Sequence, residues 1–390
     1  MKWVRQLSVI ALGFSLLGLT SCRKAPILGI LLPTSGKAAT YGQSMSDAMH
    51  LALAEARQDG SVPAGFKAVW ADSASDPQTG VAAFKKLVDE SGARMVIGGC
   101  TSDVAEALLP VMKKKRIIVL SPSASAPDLT KKSKLFYRLF PSDELEGVRA
   151  GTFLYQGQGK RNVLIFSAGD QHARGIEPEF RHQFEQNLGG TIAGRIVLTD
   201  VNWQNDAADV LTSAQPDAAY VIGYATETVE VLRFLRKQRF SKTVCATSAL
   251  YDRAVLDANK GLVEGVFFPL PSFDPQSDKA GVHSFVKAYR DRFGSDPDIF
   301  AAHAYDAMNV ALFVLKTSKY LETEEILKTM QFGVTDFPGI TGMIRFDDYG
   351  DVHHIPIMYI VKGGKVLNFE RYRKQQLQRI KDRLLSLTRQ

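Results

Sequence analysis

The sequence predicts an α/β protein built from two halves of similar design. From residue 27 onward, short apolar runs alternate with amphipathic stretches, the pattern of largely parallel sheets flanked by helices. There are more such strand–helix units than one open sheet needs, and a chain of 390 residues suggests about two domains. Several apolar runs also discharge into loops of small polar residues: after Ile117–Leu120, "SPSASAP" carries no charge before Asp128.

The chain opens with a targeting segment. Lys2 and Arg5 form a positive start, residues 7–19 are an apolar core short for a membrane span, and "LTSC" ends at Cys22. This resembles a bacterial lipobox, so residues 1–22 are expected to be a lipoprotein signal, with Cys22 the lipidation site and membrane anchor. No other segment is apolar enough to suggest a span. Beyond Cys22, Cys100 and Cys245 are expected to be unbonded, buried thiols.

"ILGILLP" (27–33) predicts a buried strand. Apolar residues at 45, 48, 49, 52, 53 and 56 then recur at helical spacing. "FKAVWAD" is a strand, "TGVAAFKKLVDESG" a helix and "RMVIGG" a strand. "SDVAEALLPVMKKK" is a helix with a Ser/Asp start, kinked or shortened at Pro110, and "RIIVLSP" is the next strand. "DELE" reads as a capped helix start. "NVLIFSAG", "TIAGRIVLT", "DAAYVIGY" and "KTVCAT" are strands; the helices between them include 174–189 and "TETVEVLRFLRKQRF". Helices are expected near 278–293 and 298–318, then a strand pair at "GMIRFDDYGDV" and "HIPIMYIVKGGKVLNF". Residues 366–390 form a basic amphipathic helix, either packed on the body or touching anionic lipid or a partner.

The net charge of +7 does not point to nucleic acid. Residues 362–390 alone carry nine Lys/Arg against two acids, the leader adds two more cations, and the rest of the chain is left at about −2. "LYQGQGKR" fails as a phosphate loop, "GQGKRN" lacks the third glycine of a dinucleotide fingerprint, and there is no GxSxG, HExxH or CxxC. His353 and His354, placed between strands, would point to opposite faces. No cofactor, metal site or catalytic residue is expected, and the chain does not read as an enzyme.

The strand ends are more informative. In α/β sheets ligands sit outside the carboxyl ends of strands, where helix N-termini offer N–H groups suited to a carboxylate. "GGCTSDVAEAL" and "SPSAS" would form one wall of such a cleft.

"ILGILLPTSGKAATYGQSMSDAMHLALAEA", "ADSASDP", "VIGGCTSDVAEALLPV", "VLSPSASAPDLT" and "TGMIRFDDYGD" together resemble the type I periplasmic binding proteins. The branch in question is the leucine/isoleucine/valine-binding one that serves ABC importers, and the likeness runs from 27 to about 365. It implies two Rossmann-like lobes with parallel central sheets, joined by a three-strand hinge. The expected division is 27–143 with 273–337, and 144–272 with 338–365.

The resemblance also implies site residues. Ser102 would give a hydroxyl and amide to a ligand carboxylate, and the turn holding Ser123 and Ser125 would give a carbonyl to a ligand ammonium and a hydroxyl and amide to the carboxylate. Tyr41 matches an aromatic near the first strand, His172 stands where a tyrosine is usual, and Tyr224 corresponds approximately to another tyrosine. The acid that pairs with a ligand ammonium falls near Ala249, a departure for which Asp252 or Tyr251 could substitute. Plainer roles stand beside these: rim aromatic for Tyr41, solvated loop for His172, core for Tyr224, helix cap for Asp252, and a tight turn for 121–127. The implied protein is a lipid-anchored, extracytoplasmic solute-binding protein, expected as a monomer. It would capture an amino acid or amide-like, carboxylate-bearing ligand for an ABC permease. The alternative is a sensing or envelope-assembly lipoprotein of the same fold without transport.

Overall fold

A computed structural model describes residues 25–387. The chain runs β1 (Ile27–Leu32), α1 (Ala39–Gln58), β2 (Lys67–Asp72), α2 (Pro77–Asp89), β3 (Met95–Ile97), α3 (Ser102–Lys115), β4 (Ile118–Ser121) and β5 (Phe136–Arg138). It then enters α4 (Asp143–Thr152), β6 (Asn162–Ser167), α5 (Gln171–Arg181), β7 (Thr191–Val197), α6 (Trp203–Ser213), β8 (Ala218–Ile222), α7 (Ala225–Lys237), β9 (Thr243–Ala246), α8 (Arg253–Ala258) and β10 (Phe267–Leu270). The last part holds α9 (Ala280–Phe293), α10 (Ile299–Thr317), α11 (Thr323–Lys328), β11 (Thr335–Pro338), β12 (Met343–Arg345), β13 (Ile357–Lys362), β14 (Lys365–Asn368) and α12 (Phe369–Leu387).

Two sheets organise these elements. The first is parallel, in the order β2-β1-β3-β4-β5. The second has the order β14-β13-β10-β9-β8-β6-β7, parallel from β10 to β7. β13 and β14 join it antiparallel. The central strands β3, β4 and β8 are buried throughout, as strands covered by helices on both faces must be. The chain passes between the sheets three times, through 139–142, 271–279 and 346–356.

Several expectations change. "GMIRF" does not pair with "HIPIMYIV": β12 pairs with β11, and β13 turns on Gly363 and Gly364 to pair with β14. The expected lobe boundary at 337/338 therefore cuts the β11–β12 ribbon. α3 runs through Pro110 to Lys115, because Pro110 sits on the exposed side, where the carbonyl it leaves unpaired can meet water. α10 is long and apolar enough for a membrane span by composition, against the expectation, but it is a core helix packed along α1, with thirteen of its nineteen residues buried. His353 and His354 lie in a loop, bonded to Asp347 Oδ2 at 3.1 Å and Met343 O at 2.9 Å.

Two glycines let α5 pack closely against its neighbours. At Gly147 of α4, a Cβ would stand 2.5 Å from Ile176 O of α5, so the two helices meet backbone to backbone. At Gly175 of α5, a Cβ would stand 3.0 Å from Pro127 Cδ. The start of α5 thus lies directly against the loop that follows β4.

Candidate functional site

The tips of β3 and β4 are tied together by their own hydroxyls. Ser121 Oγ donates to Gly99 O (2.9 Å) and accepts the Ala124 N–H (3.0 Å). Ser123 Oγ donates to Cys100 O (2.7 Å), and Ser102 Oγ accepts the Ala126 N–H (3.2 Å). Cys100 is buried against Leu31 O, and burial pushes its thiol up to about 12. Neither Cys100 nor Cys245 is in a disulfide. Ser123 is therefore mainly a brace, whereas the partly exposed Ser102 keeps its own proton to give and Ser125 is partly exposed at the loop's outer edge. Ser102 is the first residue of α3, where backbone N–H groups lack intrahelical partners and partial positive charge collects.

The next contact leads across to the second sheet. Asp143 opens α4, and its N–H donates to Ser125 O (2.9 Å). Its carboxylate Oδ2 lies 3.5 Å from His172 Nδ1 in the first turn of α5. The imidazole is largely buried, and its Nε2 has no hydrogen-bond partner among the described residues. Burial alone would lower the His172 pKa, but Asp143, then Glu146 and Asp170, outweigh it and hold the ring at about 9. It is an imidazolium at neutral pH.

Glu146, one turn along α4, accepts both the N–H and the Oγ–H of Ser248 at 2.6 Å. Its burial raises it to about 7 against the opposing pull of His172. The His172 ring lies 5.5 Å from Tyr224, the residue before α7, which is half exposed. Burial, Asp170 and then Asp103 push the Tyr224 phenol up to about 12. Since Asp103 follows Ser102 on α3, the two walls sense each other's charge.

Tyr41 and Asp252 form a second neighbourhood. Tyr41 stacks on Phe300 (4.3 Å), and its phenol is raised by burial, Asp252 and Asp298 in that order. Asp252 caps α8 by accepting the Val255 N–H (2.9 Å), the plainer of its two expected roles. Asp298 caps α10 and accepts from Ser44 Oγ (2.6 Å).

Ser102, Ser123, Ser125, His172 and Tyr224 thus form one chain of contacts, and Tyr41 with Asp252 another. Cys22 lies outside the described residues. Sequence reasoning missed Asp143 and Glu146, which it took as a helix start, and Arg138. The Arg138 guanidinium is fully buried: it donates to Ala126 O (2.7 Å), Pro127 O (3.2 Å) and both carboxylate oxygens of Asp351. Thr130 Oγ1 also donates to Asp351 (2.9 Å). Among the described residues no group of His, Cys, Asp and Glu is placed to hold a metal ion.

The sequence profile of the family described as periplasmic binding protein matches residues 27–365. The leucine-, isoleucine-, valine-, threonine- and alanine-binding protein of Pseudomonas aeruginosa is 23% identical over 326 residues, covering 82% of this chain and 85% of that one. Among solved structures, the leucine-binding protein LivK of Thermotoga maritima superposes with a TM-score of 0.77 at 22% identity, covering 88% of this chain and 97% of that one. A solute-binding protein of an ABC transporter from Rhodopseudomonas palustris, solved with 3,4-dihydroxybenzoic acid, gives 0.73 at 18% identity, covering 88% and 95%.

Proposed function

The chain belongs to the periplasmic binding protein family, and from that premise we propose that it is an extracytoplasmic solute-binding protein whose ligand is a small carboxylate-bearing molecule delivered to an ABC permease. The observation that carries the ligand class is the buried His172 ring, whose Nε2 has no hydrogen-bond partner among the described residues, beside a wall of hydroxyls and a helix N-terminus. A buried carboxylate needs hydrogen bonds, and charge-assisted ones contribute about 1.5–3 kcal/mol each. Ser102, Ser125 and His172 supply donors of that kind. The amino-acid and aromatic-acid ligands in the names of the relatives share the carboxylate. An ammonium group, where the ligand has one, would meet Asp143 or Glu146 rather than an acid at Ala249.

Ligand would sit between two lobes, 27–143 with 273–337 and 144–272 with 338–365, with residues 338–345 moved to the first to keep the β11–β12 ribbon whole. Closure would be stabilised by contacts to both walls. The protein would act as a monomer without chemistry of its own, tethered by lipid on Cys22.

A thermal-shift screen of amino acids, their amides and small organic acids tests this. A ligand at 100 times its Kd should stabilise the fold by about 2.7 kcal/mol. The expected result is a rise in Tm with at least one carboxylate and none with its neutral amide. A folded protein that responds to no compound would overturn the reading in favour of a sensing or assembly role.

A further inference from the structure

We propose that α12 is a membrane-surface helix that docks on anionic lipid. Its root is fixed to the body: the Phe369 ring lies 5.4 Å from Phe153 and 5.1 Å from Phe267. Arg371 pairs with Asp274 (2.8 Å) and donates to Gln276 O (2.5 Å). Beyond that root the helix leaves the body, and every residue from 377 to 387 is exposed. α12 lies past residue 365, where the family match ends.

The exposed part is patterned. With 3.6 residues per turn, Leu377, Ile380, Leu384 and Leu387 fall within an arc of about 80°. Each of the four is 57–62% exposed. Lys374 and Lys381 border one side of this stripe, and Arg379 and Arg383 the other. Gln375, Gln378, Asp382 and Ser386 occupy the opposite face. An apolar stripe flanked on both sides by long cationic side chains is the arrangement of a helix lying in the headgroup region, where stems can cover acyl chains while charges reach phosphates.

Charge selects this occupant over others. α12 carries six Lys/Arg against two acids, while the chain outside the leader and the last 29 residues is slightly acidic. Two copies pairing through α12 would oppose cationic flanks. Four side chains a side also fall well short of the roughly 800 Å² per partner of a stable interface. The exposed stretch 377–387 is short enough to be marginal as a helix alone in water, so covering its apolar stripe would also consolidate it.

The test uses the full chain with Cys22→Ala, in which Cys100 and Cys245 are buried, so a single introduced cysteine can carry a polarity-sensitive fluorophore. Leu384→Cys places the label on the stripe, and Gln378→Cys on the opposite face. With mixed phosphatidylcholine–phosphatidylglycerol vesicles, the label at 384 should shift to the blue and the one at 378 should not. The shift should vanish at 1 M salt, where the Debye length is about 3 Å. Adding Arg379→Glu with Lys381→Glu should weaken partitioning at least about tenfold. No shift on any vesicle would overturn the proposal, and so would an equal shift on pure phosphatidylcholine. A blue shift without vesicles that grows with protein concentration would assign the stripe to a second copy instead.

Discussion

At the tips of β3 and β4, hydroxyls are bonded to backbone carbonyls a few residues away: Ser121 to Gly99, Ser123 to Cys100. At the tips of β6, β8 and β9, the corresponding places hold Asp170, His172, Tyr224 and Ser248, with Asp143 and Glu146 brought in by α4. The strand tips of the first wall are uncharged and braced against themselves, with Asp103 of α3, paired with Lys37, beside them, so their backbone dipoles are preset. The second is a cluster of acids around one imidazolium, so its charge depends on its neighbours and on protons. One wall can supply shape and peptide N–H groups, the other charge.

That contrast can be broken most severely where the walls join. Asp351→Asn takes the counter-charge from the fully buried Arg138, whose guanidinium grips the carbonyls of residues 126 and 127. Chemical denaturation should show a loss of about 3 kcal/mol or more. Ser121→Ala removes one brace of the first wall and leaves the Gly99 carbonyl and the Ala124 N–H unpaired. It should cost about 1–3 kcal/mol in the same assay. Ser102→Ala with Ser125→Ala spares the Ser121 and Ser123 braces but leaves the Ala126 N–H without its Ser102 acceptor; calorimetry with the carboxylate found by screening should show binding at least about tenfold weaker, with a loss of stability no larger than that of Ser121→Ala.

The smallest effect separates the walls by pH. The His172 pKa is raised above its ordinary 6.5 to about 9, so the native state binds the extra proton between those values. Its stabilising contribution is full below 6.5 and is lost as pH rises through about 9. Glu146, raised from 4.5 to about 7, has the same sign over its own lower window. Denaturation midpoints should therefore decline from mildly acidic to alkaline conditions. Carboxylate affinity should fall severalfold above about pH 9, and His172→Gln should flatten that dependence. A flat profile in the parent protein would remove the charge contrast between the walls.

Much of the fold was legible because central strands of parallel sheets read as unbroken apolar runs: "ILGILL", "MVI" and "AAYVI" announce β1, β3 and β8. β5 was not, because its three residues end in Arg138, and a charged residue argues against a core strand until Asp351 is folded beside it. β10 carries Pro269, which demotes a strand in any local reading, yet it lies between parallel β9 and antiparallel β13, with Pro269 opposite Met358. At the site, small polar strand tips were visible as a type of place. The division of labour among Ser102, Ser123 and Ser125 was not, because it depends on which carbonyl lies within 3 Å. Glu146 looked like an ordinary first-turn acid, and only its burial beside Ser248 marks it out.

The loop 125–127 is fastened from two directions: Ser125 O by the N–H of Asp143 in one passage between the sheets, and the carbonyls of 126 and 127 by Arg138, itself clamped to Asp351 in another. Were one sheet to swing relative to the other, as proposed, these few peptide groups would take the strain. The seat proposed for the guest would then also be the fulcrum of the jaw, so gripping and biting would be mechanically one act.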